Sequence, residues 1–290
     1  MGIRKSNSDR IYVTLNYVLA TILVAAAAYP FIYVFSMSIS DPYAAAGGKV
    51  VLWPVGFDMT AYQLVLRSAD IWNAFSNTVW VVIVGTTCMV VCTLCAAYPL
   101  SRKHFFARKF FNGFIAFTMF FWAGLIPFFQ VVKMTGLYGN RWVLVIPYMI
   151  EAWNFVICRT FFQSLPETLM EAATIDGCGE FQIMTRVALP LSKQIIAVMA
   201  LFYGVSNWNG WFAAQIFLPD ANMQLLQNVL KRLLVESKAN DLASMGMGTV
   251  LSKLQLKYAI VVVASIPMIA VYPFVQRYFE KGVMIGSIKG

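Results

Sequence analysis

An all-α membrane protein with six transmembrane helices is the fold class the sequence predicts, and three observations lead there. Of 290 residues, 60% are hydrophobic and only 12% are charged, against about 25% charged in ordinary soluble domains. The apolar residues are also gathered into runs. Residues 11–40, 71–101, 110–132, 194–219 and 258–276 contain no Asp, Glu, Lys, Arg or His, and residues 142–162 are interrupted only by Glu151 and Arg159. Each run is as long as the roughly 18 residues a helix needs to cross a bilayer. Finally, hydrocarbon offers no partner to open backbone groups, so each run must close its hydrogen bonds within itself as a helix. One membrane domain over residues 1–290 is expected, with a polar insert at about 164–193 between the fourth and fifth spans.

The first run follows Arg4, Lys5 and Arg10. It is far longer than the roughly 7–15 apolar residues of a secretory signal, so it reads as an uncleaved first helix. Residues 41–70 carry Pro42, Gly47, Gly48, Pro54 and Gly56 with Trp53, Phe57 and Tyr62, an extracytoplasmic loop with aromatics suited to the membrane interface. The link after the second run is short and basic, with Arg102, Lys103, Arg108 and Lys109. Lys133 to Arg141 is a tight turn through Gly136 and Gly139. Residues 220–257 hold a helical stripe (Leu225, Val229, Arg232, Leu233) and then Gly246-Met247-Gly248.

Lys and Arg near the span ends set orientation. The segment before the first run, the link at 102–109 and the end of the chain (Arg277, Lys281, Lys289) are the basic side. The longer segment at 220–257 is also Lys-rich but weighs less, so both termini are expected in the cytoplasm. The net charge of +9 then follows largely from topology. Nothing gathers those charges onto one surface, and nucleic-acid binding is not expected.

Several chemistries lack their residues. Cys88, Cys92 and Cys95 share a helical spacing with no His or carboxylate nearby, which suits helix packing better than zinc. His104 is the sole histidine. There is no nucleophile elbow, no paired intramembrane carboxylates and no Gly-x-x-x-x-Gly-Lys-Ser/Thr loop to cradle ATP phosphates. The chain is not expected to be an enzyme or to bind a metal or cofactor itself.

The polar insert is the most specific segment. Ser164-Leu165-Pro166-Glu167 reads as a helix start, with Ser164 as cap and Glu167 completing a capping box. The helix runs through Glu171, Ala172 and Ala173, whose small side chains offer a smooth surface. It ends through Asp176 at Gly177 and Gly179, residues able to turn left-handed. Phe181 to Ala188 reads as a second short helix, and Leu189-Pro190 turns the chain into the fifth span. On residue pattern alone, an ordinary helical loop is the other reading.

The Glu-Ala-Ala-x-x-x-Gly stretch, with Val187-Ala188-Leu189-Pro190 at its spacing and Arg159 to Pro166 before it, resembles permease subunits of bacterial ATP-binding-cassette importers of the carbohydrate-uptake type. It is similar to the smaller maltose-system permease over nearly the whole chain. Val187 stands where Ile is usual and Gln194 where a second Pro is common. The resemblance implies a cytoplasmic coupling helix between the fourth and fifth spans, with Glu171, Ala172, Ala173, Asp176, Gly177, Leu189 and Pro190 seated against a separate ATPase. It implies a tail, Ser287, Ile288, Lys289 and Gly290, reaching toward that ATPase; a solvated tail is the alternative for Lys289. It also implies a second homologous permease, two ATPase subunits holding ATP and Mg, an extracytoplasmic solute-binding protein, and residence in the bacterial cytoplasmic membrane among its lipids.

Glu151 lies roughly nine residues, ~14 Å of helix, from the outer end of its run. A carboxylate at that depth must face water, cargo or another polar group. Asn154 is on the same face. The pair either lines a translocation pathway for an oligosaccharide or makes a structural hydrogen bond. In the fifth run, Asn207, Trp208, Asn209 and Trp211 suit sugar hydroxyls and ring faces, though Trp is also common at membrane interfaces. A uronate-containing cargo is one candidate, which Glu151 would repel unless protonated or paired. An ion-coupled secondary transporter of a polar solute is the alternative function; it calls for inverted repeats and ion-binding clusters, of which only Glu151 is a hint.

Overall fold

The computed structural model describes residues 7–121, 123–240, 255–271 and 273. Among these the chain is helical, with one isolated bridge between Ser40 and Phe57. It divides into two units, residues 1–68 with 230–266, and residues 69–229 with 267–290.

In the first unit, α1 (Asn7–Ser38) is apolar from Ile11 onward and stays largely unburied until its last turn, where Ser36, Met37 and Ser38 are buried. Its C-terminal end is tied to the following loop. Ser36 Oγ donates to the Leu52 carbonyl at 2.7 Å, and the Val55 N–H donates to Ser40 Oγ at 3.1 Å. Asp41 caps α2 (Pro42–Ala46) by accepting from the N–H groups of Tyr43 and Ala44, each at 3.0 Å. Gly56 is required beside it: φ is +65°, and a Cβ there would lie 2.9 Å from Asp41 Cβ. α3 (Thr60–Arg67) buries Ala61 and Val65. The Tyr62 hydroxyl on α3 is 2.7 Å from Ser38 Oγ. The buried Gln255 amide closes the loop, donating to the carbonyls of Ser40 and Asp58 at 3.0 Å each.

In the second unit, α4 (Ala69–Trp80), a π-helical turn (Val81–Gly85) and α5 (Thr86–Ser101) form one continuous apolar helix long enough to span a bilayer. The third apolar run, expected unbroken, is split into α6 (Arg108–Phe120) and α7 (Leu125–Met134), with Gly124 at φ +88° between them. The fourth is bent by 47° between the 3₁₀ turns at Arg141–Tyr148 and α8 (Ala152–Ser164). Pro147 at this break has no N–H to give a continuing helix.

The insert comprises α9 (Glu167–Ile175), α10 (Glu180–Ile183), a second π-helical turn (Met184–Ala188) and α11 (Leu189–Leu191). It turns by 81° into α12 (Lys193–Asn209), followed by α13 (Phe212–Phe217). α14 (Leu226–Asn240) and α15 (Gln255–Val271) complete the described helices. The expected residues 246–248 and 287–290 lie outside the described residues.

One core unites α5, α8, α12 and the insert. Met89, Tyr98, Phe155, Phe162, Met199 and Tyr203 from the apolar helices bury with Met170, Ala173, Ile183, Met184 and Ala188 from the insert. Inside lipid such packing is a van der Waals matter, because lipid tails are as apolar as the side chains themselves. Close fit therefore counts. At Gly85 a Cβ would lie 3.3 Å from Asn207 Nδ2 and 3.4 Å from Val145 Cγ2, so glycine lets α12 approach the π-helical turn.

Candidate functional site

The insert builds a polar elbow whose construction differs in three details from the sequence expectation. Ser164 does not cap α9. It is the last residue of α8, and its hydroxyl donates back to the Phe161 carbonyl at 2.7 Å. Leu165 is extended before Pro166, as the residue preceding proline prefers, and α9 starts only at Glu167 with no side-chain cap. Glu167 instead meets Lys103 of the basic link, Nζ to Oε2 2.7 Å. The Lys103 hydrogen bond, and then its charge, hold that carboxyl below the usual range.

The α9 C-terminus follows the expected glycine chemistry at Gly177 only. Gly177 has φ +80°, its N–H donates to Thr174 O at 3.0 Å, and Cys178 N–H donates to Ala173 O at 3.0 Å, the bond pair of a Schellman motif. Gly179 is extended, not left-handed, and starts α10, its N–H donating to Gln182 Oε1 at 3.1 Å. The third difference is Ala173. It was expected on the smooth outer surface beside Ala172, but it is buried in the shared core while Glu171, Ala172 and Asp176 stay exposed. The large apolar groups standing furthest outward are Ile175, 87% exposed, and Phe181, 73% exposed, with Leu169 and Leu191 exposed to a lesser degree. Leu189 is half-buried against the core and Pro190 is exposed. The bend itself falls at Ser192, whose hydroxyl donates to Ala188 O at 2.6 Å.

The second feature is a cavity of about 760 Å³ lined by Glu151, Asn207, Tyr203, Ser206, Tyr148, Trp153 and apolar neighbours. Glu151 precedes the first residue of α8, and its Oε2 accepts from Asn154 Nδ2 at 2.6 Å. Asn154 itself is buried and does not line the cavity. The Glu151 N–H donates to the Tyr203 hydroxyl at 3.2 Å, and that hydroxyl is 2.7 Å from Thr93 Oγ1. Asn207 is fixed by donating to Thr86 Oγ1 at 3.1 Å. A smaller cavity of about 310 Å³ shares Tyr148, Ser206 and Asn207 and adds Asn209 and Trp211. Trp208 lines neither cavity. It is buried, edge-on to Phe75 of α4 with ring centroids 6.0 Å apart.

Residues 89–285 match the family model described as the inner membrane component of binding-protein-dependent transport systems. The chain belongs to that family. The permease is 34% identical over 284 residues to the polygalacturonan/rhamnogalacturonan transport system permease protein YtcP of Bacillus subtilis strain 168, covering 97% of this chain and 99% of that one. It is also 34% identical over 289 residues to Protein LplC of the same organism, covering 98% and 97%. A chain from the crystal structure of a bacterial ABC transporter involved in the import of the acidic polysaccharide alginate matches with TM-score 0.87 and 36% identity, over 96% of the permease and all of that chain.

Of the pathway residues named from the sequence, Glu151, Asn207, Asn209 and Trp211 border the two cavities and Asn154 and Trp208 do not, while Tyr203, Tyr148, Ser206 and Trp153 line them without having been named. Tyr203 carried a usable signal: it lies one helical turn before Asn207, on the same face of α12.

Proposed function

We propose that this permease passes an oligosaccharide across the bacterial cytoplasmic membrane by alternating access, driven by ATPase subunits that grip α9 and α10. The observation carrying this reading is the shared core. Met170, Ala173, Ile183 and Met184 of the elbow bury with Tyr98, Phe155 and Phe162 of the apolar helices, so a displacement of the elbow moves α5 and α8 with it. Packed interiors transmit strain because they hold few voids. Ile175 and Phe181, with the exposed Glu171, Ala172, Asp176 and Gly177, form the outward surface for the ATPase.

The membrane topology follows the same reading. Ile11–Ser38 and Ala69–Ser101 are long and apolar enough to cross a bilayer, as is the bent pair at Arg141–Ser164 if it is one span, while beyond the 81° bend α12 (Lys193–Asn209) carries the crossing that follows the elbow. With α6–α7 and α15 as the remaining crossings, the count is six and both termini are cytoplasmic. The family match runs across both units, which supports one transmembrane domain. Six spans form half of a pathway, so a second homologous permease completes it. An extracytoplasmic binding protein delivers cargo to the outer loops. ATP and Mg belong to the partner ATPase, whose nucleotide-proximal surface is also where Ser287 to Gly290 would reach.

The names of the relatives favour polysaccharide fragments, uronate-containing ones included. Tyr148, Trp153 and Trp211 offer faces for sugar rings, and Ser206, Asn207 and Asn209 offer partners for hydroxyls. Family membership displaces the ion-coupled alternative. In vesicles containing the complete importer, uptake should require internal ATP and survive collapse of ion gradients; uptake driven by a gradient without ATP would refute the reading.

A further inference from the structure

The described cavity wall holds one carboxyl group and no basic side chain. Among its described lining residues there is no Lys, Arg or His, and Glu151 is the sole carboxylate. The one ion pair among the described residues is Lys103–Glu167, so Glu151 is held by an amide alone, Asn154 Nδ2 at 2.6 Å. Its position at the start of α8 supplies the remaining compensation, since a helix N-terminus favours a negative oxygen. Asn154 is buried and faces inward, whereas Glu151 is exposed to the cavity. The other polar groups of the wall, Thr118, Tyr148, Tyr203, Ser206 and Asn207, carry no formal charge, and Asn207 is already committed to Thr86.

We propose that Glu151 is a charge filter, so that this wall receives uncharged sugar units through their hydroxyls and holds off carboxylate-bearing ones. The proposal rests on the transport reading above and narrows its cargo. A carboxylate accepts hydrogen bonds only, which fits donating hydroxyls. It cannot accept from a sugar carboxylate, and the described lining residues include no cation to bridge the two. The aromatic faces of Tyr148 and Trp153 suit the apolar face of a neutral ring equally well. Where a cargo mixes charged and uncharged units, the uncharged ones face Glu151.

The test uses the complete reconstituted importer and two probes, a short uronate oligosaccharide and the same oligosaccharide with its carboxyls reduced to alcohols. The quantity read is the acidic-to-neutral ratio of ATP-driven uptake, compared between wild type and variants so that any preference of the binding protein cancels. Glu151→Gln, which keeps an acceptor for Asn154, should raise the ratio about tenfold, in line with the cost of juxtaposed like charges. Glu151→Asp should leave it near the wild-type value. Should Glu151→Gln fail to assemble, Ser206→Asp adds a second carboxylate to the same wall and must lower the ratio. A ratio unmoved by these changes, with ATP-driven uptake intact, overturns the filter alone. Absence of ATP-driven uptake of both probes by the wild-type importer overturns the transport reading and the filter with it.

Discussion

Lys103 Nζ lies 2.7 Å from Glu167 Oε2, across 64 residues of sequence, and so ties the basic link after α5 to the first turn of α9. The pair is exposed, and exposed pairs add little to stability. Its consequence is positional: it fixes where the elbow begins relative to the end of the second apolar helix.

The pair has a defined pH dependence. The Glu167 carboxyl is held below its usual range, first by the Lys103 hydrogen bond and then by its charge. A depressed value in the folded state means the contribution is present above the ordinary carboxylate range and is lost as pH falls through the depressed value. Lys103→Ala should move the Glu167 titration up toward the ~4.3 of free glutamate, followed by NMR of labelled glutamate, with the melting temperature unchanged.

The outer and inner faces of the elbow should respond differently to substitution. Ile175→Asp and Phe181→Ser alter outward groups and should abolish co-purification of the ATPase without changing the melting temperature. Ala173→Phe places a large side chain into the shared core and should cost about 1–3 kcal/mol by overpacking, read as a lower melting temperature in detergent.

Gly177 and Gly85 should be intolerant for different reasons. Gly177→Ala forces an L side chain into the left-handed region, a cost of about 1–2 kcal/mol, and weakens the Schellman end of α9. Gly85→Leu adds bulk where even a Cβ approaches Asn207 and Val145; it should separate α12 from the π-helical turn, lowering thermal stability and uptake together.

The tryptophans of α12 and its exit should divide. Trp208→Ala removes a buried ring and should cost about 3–5 kcal/mol. Trp211→Ala, at the smaller cavity, should reduce uptake several-fold with the fold intact. Equal stability losses in the two would contradict their separate placement.

Much of the architecture is legible in the sequence, and the exceptions have physical causes. The apolar runs were readable because lipid forbids both charge and open backbone. The breaks were less so: Gly124 and Pro147 are tolerated inside transmembrane helices, and nothing local says when they interrupt one. Ser164 misled because a capping box is a four-residue pattern, while the preference of Leu165 for an extended conformation before Pro166 decided where the helix began. Ala173 misled because two adjacent small residues look alike in sequence, although about 100° of helical rotation separates them. Trp208 failed similarly. Asn207 and Trp211 border the cavities, and Trp208 is rotated onto Phe75.

The most direct measurement is photo-cross-linking from position 172 in the assembled importer. Ala172 is exposed and Ala173 buried, so a probe at 172 should capture the ATPase subunit in a complex that hydrolyses ATP and transports, and a probe at 173 should capture neighbours within this chain. A fully active complex in which position 172 never captures the ATPase would contradict the coupling role of α9.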